Sequence, residues 1–441
     1  MEKRHLIPAI ILLTILIPNV VYAAGGNIDT GDTAFILFAS ALVMVMTPGL
    51  AFFYGGMVSR KNVISIMMQS IMIIAIVSLQ WVLFGFSLSF SGDIGHIIGN
   101  LKWIGLSNIG SGPDGAYSST IPLMAFMVYQ LMFAIITPAL ITGAFAERMK
   151  FGAFLVFVLL WTTLVYDPLA HWVWGNGGWL KELGALDFAG GTVVHISSGV
   201  SGLVAAIMLG KRKNMRMMPH HMPMVILGTS ILWFGWFGFN AGSALSASGL
   251  AVNAFVVTNT AAAAAAIGWV LIEWKINGKP TLLGAASGAV AGLVAITPAS
   301  GYVTAVSAIM IGLLSGMICY FSVNYIKHKF GYDDSLDAFG IHGVGGTWGA
   351  FATGLFASKA VNPAGANGLF YGNFNQVIIQ IISIAATYIF AGLMSFIILK
   401  FISLFTDLRV SEEEEEAGLD ISQHGEEAYK IGFNIVDFNQ M

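Results

Sequence analysis

The chain has 441 residues, of which 56% are apolar, 10% are charged and 52 are glycine, whereas an average soluble domain is about 25% charged. Such a balance excludes an ordinary soluble domain and indicates a polytopic membrane protein, and no basic patch invites nucleic acid. The net charge of −3 says little, and the single cysteine, Cys319, excludes a disulfide framework or a multi-cysteine metal site. No cofactor or metal ion is expected.

Residues 1–23, MEKRHLIPAIILLTILIPNVVYA, have a basic start, a short apolar core and a Val-Tyr-Ala end. This is the pattern of a signal peptide cleaved after Ala23; an uncleaved first helix is the alternative. A membrane-spanning helix needs about 20 apolar residues. Eleven segments qualify: 33–57, 63–90, 121–145, 151–174, 187–209, 223–242, 251–273, 281–299, 302–326, 336–357 and 374–405. Their richness in Gly and Ala lets backbones approach closely where lipid supplies no hydrophobic drive, so one compact all-α bundle is expected.

If the first span enters from outside, the inner loops hold Arg60, Lys61, Arg148, Lys150, Lys211, Arg212, Lys213, Arg216, Lys275, Lys279, Lys327 and Lys329. The outer loops hold only Lys102, Lys181 and Lys359. The asymmetry sets the N-terminus outside and the C-terminus inside. The outer loop at 91–120 is rich in Gly, Ser and Asn and carries no evident chemistry. The tail, with SEEEEEAGLD and SQHGEEAY, reads by composition as a solvated charged segment.

Two stretches bear on function. In DFAGGTVVHISSGVSG (187–202) and FGIHGVGGTWGAFATG (339–354), His195 and His342 are each followed by glycine at the fourth and seventh positions. They lie five spans apart, as do the ITPA fragments at 136–139 and 296–299. An odd number of intervening spans makes paired helices antiparallel, so an inverted five-helix repeat is expected, with a site between its halves. His195 lies eight residues, about 12 Å, into its helix from outside, and His342 five residues beyond Asp337 from inside; the two imidazoles should meet near the midplane. Histidine inside a membrane is costly and usually faces a cavity or a partner.

Asp187 and Asp337 stand at the starts of these helices, where a carboxylate accepts backbone N–H groups; Asp187 also adds negative potential near the outer mouth. Asp167 and His171 read as interfacial packing groups. Aromatic clusters occur at 129–133, 171–175 and 232–243; an interfacial belt and a cation cage both account for them. Two histidines also suit axial haem ligation, although no second midplane pair exists for another haem.

After the leader, nearly the whole chain resembles the ammonium transporter family (Amt/Mep/Rh), in its prokaryotic Amt branch. The resemblance is carried by MTPGLAFFYGGMVSRKN, GAFAERM, AHWVWG, ALDFAGGTVVHISSGVSGL, WFGFNAGS, GKPTLLGAASGAVAGLVAITPASGY, FGIHGVGG and LRVSEEEEEAGLDISQHGEEAY. It implies a transport domain at 33–408, a cytoplasmic regulatory tail at 409–441, and a homotrimer in the cell membrane with one pore per subunit. The implied outer cation site is Trp174, Phe133 and Ser243, with Tyr129 nearby where many relatives have Phe. Phe133 and Phe239 would form a stacked gate, His195 and His342 would line the pore, and Trp236 would be a pore-wall aromatic. Asp187 matches the family's acidic residue below the outer site. The implied substrate is ammonium or ammonia, with methylammonium as a relative, and the implied inner-face partner is a PII-type signalling protein. An electroneutral gas channel and an ammonium sensor stay open as alternatives.

Overall fold

A computed structural model describes residues 27–214 and 219–429. The leader at 1–23, Arg216 and the last twelve residues of the tail lie outside the described residues. Among those described, the structure is helical, with isolated bridges but no strands.

Nine helices are long and apolar enough to cross a membrane: α1 (Thr30–Met57), α2 (Val63–Phe90), α3 (Leu123–Phe145), α4 (Phe151–Leu183, broken at Gly175), α5 (Gly191–Leu209), α6 (Met222–Gly242), α7 (Gly249–Asn277), α9 (Ala305–Phe330) and α11 (Asn375–Ser403). The other two expected segments are also helical. The first, α8, is the shorter Leu282–Ile296. The second, α10, begins as a π-helical turn at Phe339–Gly343 and continues as an α-helix at Val344–Phe356. Six glycines and a histidine dilute its apolar character. Two short helices, α12 (Glu412–Ala417) and α13 (Leu419–His424), follow.

α3 is the most enclosed of the long helices and runs through the middle of the bundle, whereas α11 lies at its margin. The outer faces present Leu79, Phe234, Val252, Ile389 and similar side chains, as a bundle solvated by lipid should. Hydrogen bonds within each helix satisfy the backbone, the condition for crossing hydrocarbon. Small residues then set the packing. Gly228 of α6 faces the backbone of Phe53 in α1, and Gly312 of α9 faces the carbonyl of Ala261 in α7, so closely that a Cβ has no room.

π turns, usually rare and often found at functional sites, recur along the chain. The turn of α4 at Thr162–Tyr166 has a counterpart in α9 at Ser322–Ile326, at the same spacing that separates the ITPA fragments. The turn that starts α5, Gly191–Ile196, is likewise matched at the start of α10. In α4 the π turn precedes Pro168, whose missing N–H and bulky ring disrupt ordinary helical bonding.

The chain entering each histidine helix docks on the end of an ITPA-bearing helix distant in sequence. Phe188 N donates to the carbonyl of Pro298, while Ser335 N and Leu336 N donate to those of Ala144 and Gly143.

The tail differs from its solvated reading. Ser411 and Glu414 form a reciprocal cap on α12. Leu419 N donates to the Asn62 side chain, and Asp420 accepts from Ser65 N at 2.8 Å. The acidic run also meets cations, with Glu415 bonded to Arg409 at the start of the tail and Glu412 paired with Lys213 of the loop after α5. Composition registered the charge but not its distant partners, Lys213, Asn62 and Ser65, which lie far back in the sequence.

Candidate functional site

The outer end of the bundle is the one that the loop-charge asymmetry assigns to the outside. A cavity of about 190 Å³ opens there, lined by Trp174, Phe133, Ser243, Gln130, Tyr117 and Lys181 among others. Trp174 ends the main part of α4, and its indole N–H donates to the carbonyl of Asp187 at 2.9 Å, which fixes the ring. Phe133 of α3 meets Trp174 nearly edge-on, with ring centroids 5.8 Å apart at 84°. Ser243, just past α6, donates to the Phe239 carbonyl at 3.0 Å.

Tyr129 is fully buried behind this cavity. Its hydroxyl donates to the Phe239 carbonyl at 2.8 Å and lies 3.3 Å from the Ser243 hydroxyl. Its ring lies edge-on to Phe133, centroids 5.0 Å apart. It borders the cavity members Ser243 and Phe133 from behind.

Phe133 and Phe239 close the cavity floor, their rings 4.2 Å apart and inclined by 30°. Beneath them the imidazole of His195 lies nearly parallel to Trp236 (5.4 Å, 21°) and to His342 (5.3 Å, 21°). The two histidines approach through Nδ1 atoms 3.3 Å apart, within reach of one shared N–H···N bond. His195 Nε2 is buried without a hydrogen-bond partner. Trp236 is held by donation to Thr297 at 2.8 Å, so the second ITPA fragment supplies a support for the pore wall. On the inner side, His342 and Trp236 line a narrow space with Tyr54, Leu140 and Asp337.

The repeated glycines explain how the imidazoles approach. Gly199 packs on the backbone of His342 and Gly343, and Gly346 packs on His195 and the Gly191 carbonyl. Each glycine four residues after a histidine is therefore the place where the other histidine's helix crosses.

The Asp187 carboxylate turns inward on its own chain. It accepts from the backbone N–H groups of Gly190, Gly191, Thr192 and Val193 and from the Thr192 hydroxyl, satisfying the otherwise unpaired donors at the start of α5. At α10, Asp334 and not Asp337 takes that position, bonding Ala338 N and Phe339 N. Asp337 has a left-handed backbone (φ 61°), which turns its side chain to Lys327 at 2.6 Å. The sequence singled out the wrong one of two nearby aspartates because dihedral choice carries no compositional signal.

Asp167 and His171 are buried away from this path. Gln80 donates to Asp167 at 2.7 Å, and His171 Nε2 lies 2.9 Å from an Asp93 oxygen. That hydrogen bond and the nearby imidazole charges hold the Asp93 carboxyl below its ordinary value against the opposing effect of desolvation. The pair ties the outer loop to the end of α4. Cavity members missed by sequence reading include Tyr117, Gln130 and Lys181; Gln130 stands within the aromatic cluster at 129–133, and Lys181 reads in sequence only as an outer-loop charge.

The model of the Ammonium Transporter Family matches residues 34–429. The ammonium transporter of Bacillus subtilis (strain 168) is 60% identical over 401 residues, covering 91% of this chain and 98% of that protein. Among solved structures, Saccharomyces cerevisiae Mep2 superposes with a TM-score of 0.83 at 39% identity, covering 88% of this chain and 91% of that one. A structure titled Sensor Amt Protein gives 0.82 at 30% identity, covering 89% and 98%.

Proposed function

The chain belongs to the ammonium transporter family, and from that premise we propose that it captures ammonium in the outer cavity, removes one proton and passes neutral ammonia along the histidine pair. It is a multi-pass membrane protein and an ammonium transporter. The named transporters among its relatives favour transport over sensing.

The energetics argue for deprotonation. Bringing an ammonium ion into a low-dielectric pore costs many kcal/mol unless it is compensated. Ring faces on Trp174 and Phe133 and a Ser243 lone pair return about 1–3 kcal/mol, enough to concentrate a cation at the mouth but too little to carry it past an apolar gate. Neutral ammonia needs only a donor and an acceptor. The observation that carries the reading is His195 Nε2, buried beyond the Phe133–Phe239 stack without a partner and on the same ring whose Nδ1 faces His342. Histidine suits proton relay, and potassium, with no proton to yield, would be excluded by chemistry more than by width.

The same reading takes α1–α11 as eleven spans in two inverted halves, with the N-terminus outside, a cleaved leader and the bundle in the cell membrane. It takes the assembly as a homotrimer with one pore per subunit. A PII-type protein would dock at the inner face, where α12 and α13 lie against the inner loops. Pull-down with the cognate PII protein, with and without nucleotide, should show association; none under any condition would count against docking.

The test of transport is electrical recording from reconstituted protein under ammonium, potassium and pH gradients. Current with ammonium and none with potassium is expected. Ammonia flux without current would replace proton-coupled transport with a gas channel.

A further inference from the structure

Among the residues lining the outer cavity there is one formal charge, and it has the sign of the substrate. Lys181 lies on the last turn of α4, Trp179–Leu183. Its ammonium group is anchored, donating to the Trp174 carbonyl at 3.1 Å and lying 5.9 Å from the centroid of the Tyr117 ring. The acids around it are engaged elsewhere. Glu182 faces His96, Asp93 is shared by His96 and His171, Asp114 accepts from Ala116 N, and Asp187 is taken by its own helix start. No ion pair to Lys181 occurs among the described residues.

We propose that Lys181 is a specificity-determining residue of the cavity: a tethered cation whose repulsion sets how tightly ammonium is held, favouring release from the aromatic site over trapping. The inference rests on this cavity being where ammonium is captured. Lys181 presents to the Trp174 carbonyl and a ring face the same chemistry that free ammonium would, so the two compete for partners as well as repelling each other. Like charges roughly 6–10 Å apart, in surroundings between protein surface and water, alter occupancy roughly three- to tenfold.

The test is uptake of nitrogen-labelled ammonium by cells lacking other ammonium uptake, in mildly acidic medium where free ammonia is scarce. Lys181→Met should lower the half-saturating ammonium concentration roughly three- to tenfold, with maximal rate changing far less, and Lys181→Glu should lower it further. Lys181→Arg should keep the original value. Added inert salt should lower half-saturation in the parent protein, leave it flat in Lys181→Met and raise it in Lys181→Glu, since screening acts on charge alone. Half-saturation unchanged in Lys181→Met, or altered equally in Lys181→Met and Lys181→Arg, overturns the proposal. Trp174→Leu separates the two levels. Raised half-saturation there with no response at Lys181 defeats only this inference, whereas no response in Trp174→Leu defeats the capture site itself and this inference with it.

Discussion

At the scale of single residues, the site depends on side chains that are held by other side chains. The Asp187 carboxylate gathers five donors over Gly190 to Val193, while its backbone carbonyl fixes the Trp174 indole. Asp187→Asn removes the charge and turns one acceptor into a donor facing N–H groups. It should cost about 1–3 kcal/mol, read as a lower melting temperature in detergent, and should loosen Trp174, read in its fluorescence. A variant with unchanged melting would show that the start of α5 does not need the carboxylate. The residue types of this site were legible in sequence, because ionisable and aromatic groups stand out in an apolar chain. Supporting contacts such as Tyr129 to Ser243, Thr297 to Trp236 and Lys181 to Trp174 were not, since each depends on a distance between elements.

At the scale of elements, two helices cross where each lacks a side chain. A Cβ on Gly199 would collide with the backbone of Gly343 and the carbonyl carbon of His342, so backbone itself would have to move. Gly199→Ala should therefore cost about 1–3 kcal/mol and shift His342 relative to His195, lowering transport even where folding survives. Gly152→Ala, at a position open to its surroundings, is the matched control and should leave melting unchanged; equal loss in both would refute the crossing argument. The glycine spacing after each histidine made this crossing readable in advance, as did the five-span offset. The π turns that begin α5 and α10 were not readable, because one extra residue in a turn leaves no periodic trace.

At the scale of the whole molecule, the inner face is braced by ions from three distant segments. Arg212 bonds Glu147 and Asp333 at 2.8 Å each, and Arg148 donates to the Asp333 carbonyl, joining the end of α3, the loop after α5 and the loop before α10. Burial alone would raise the Asp333 carboxyl, but hydrogen bonding and charge from Arg212 outweigh it and hold it at about 2 against an ordinary 3.8. A depressed carboxyl contributes stability that is complete above its unfolded value and fades as pH falls through its folded value. Melting should thus weaken on acidification between roughly pH 4 and pH 2. Asp333→Asn should lose about 2 kcal/mol or more at neutral pH and flatten that acid limb; an equally steep limb in the variant would assign it to other carboxylates. The all-helical, many-span character was legible from hydropathy. This brace was not, since Glu147, Arg212 and Asp333 read separately as ordinary loop charges.

The central claim is that ammonium yields a proton and that the histidine pair then conducts neutral ammonia. It is tested most directly by recording ammonium and potassium currents from reconstituted His195→Leu and His342→Leu proteins beside the parent. Each substitution should abolish the ammonium current or admit potassium. Ammonium current and potassium exclusion left unchanged in both variants would contradict it.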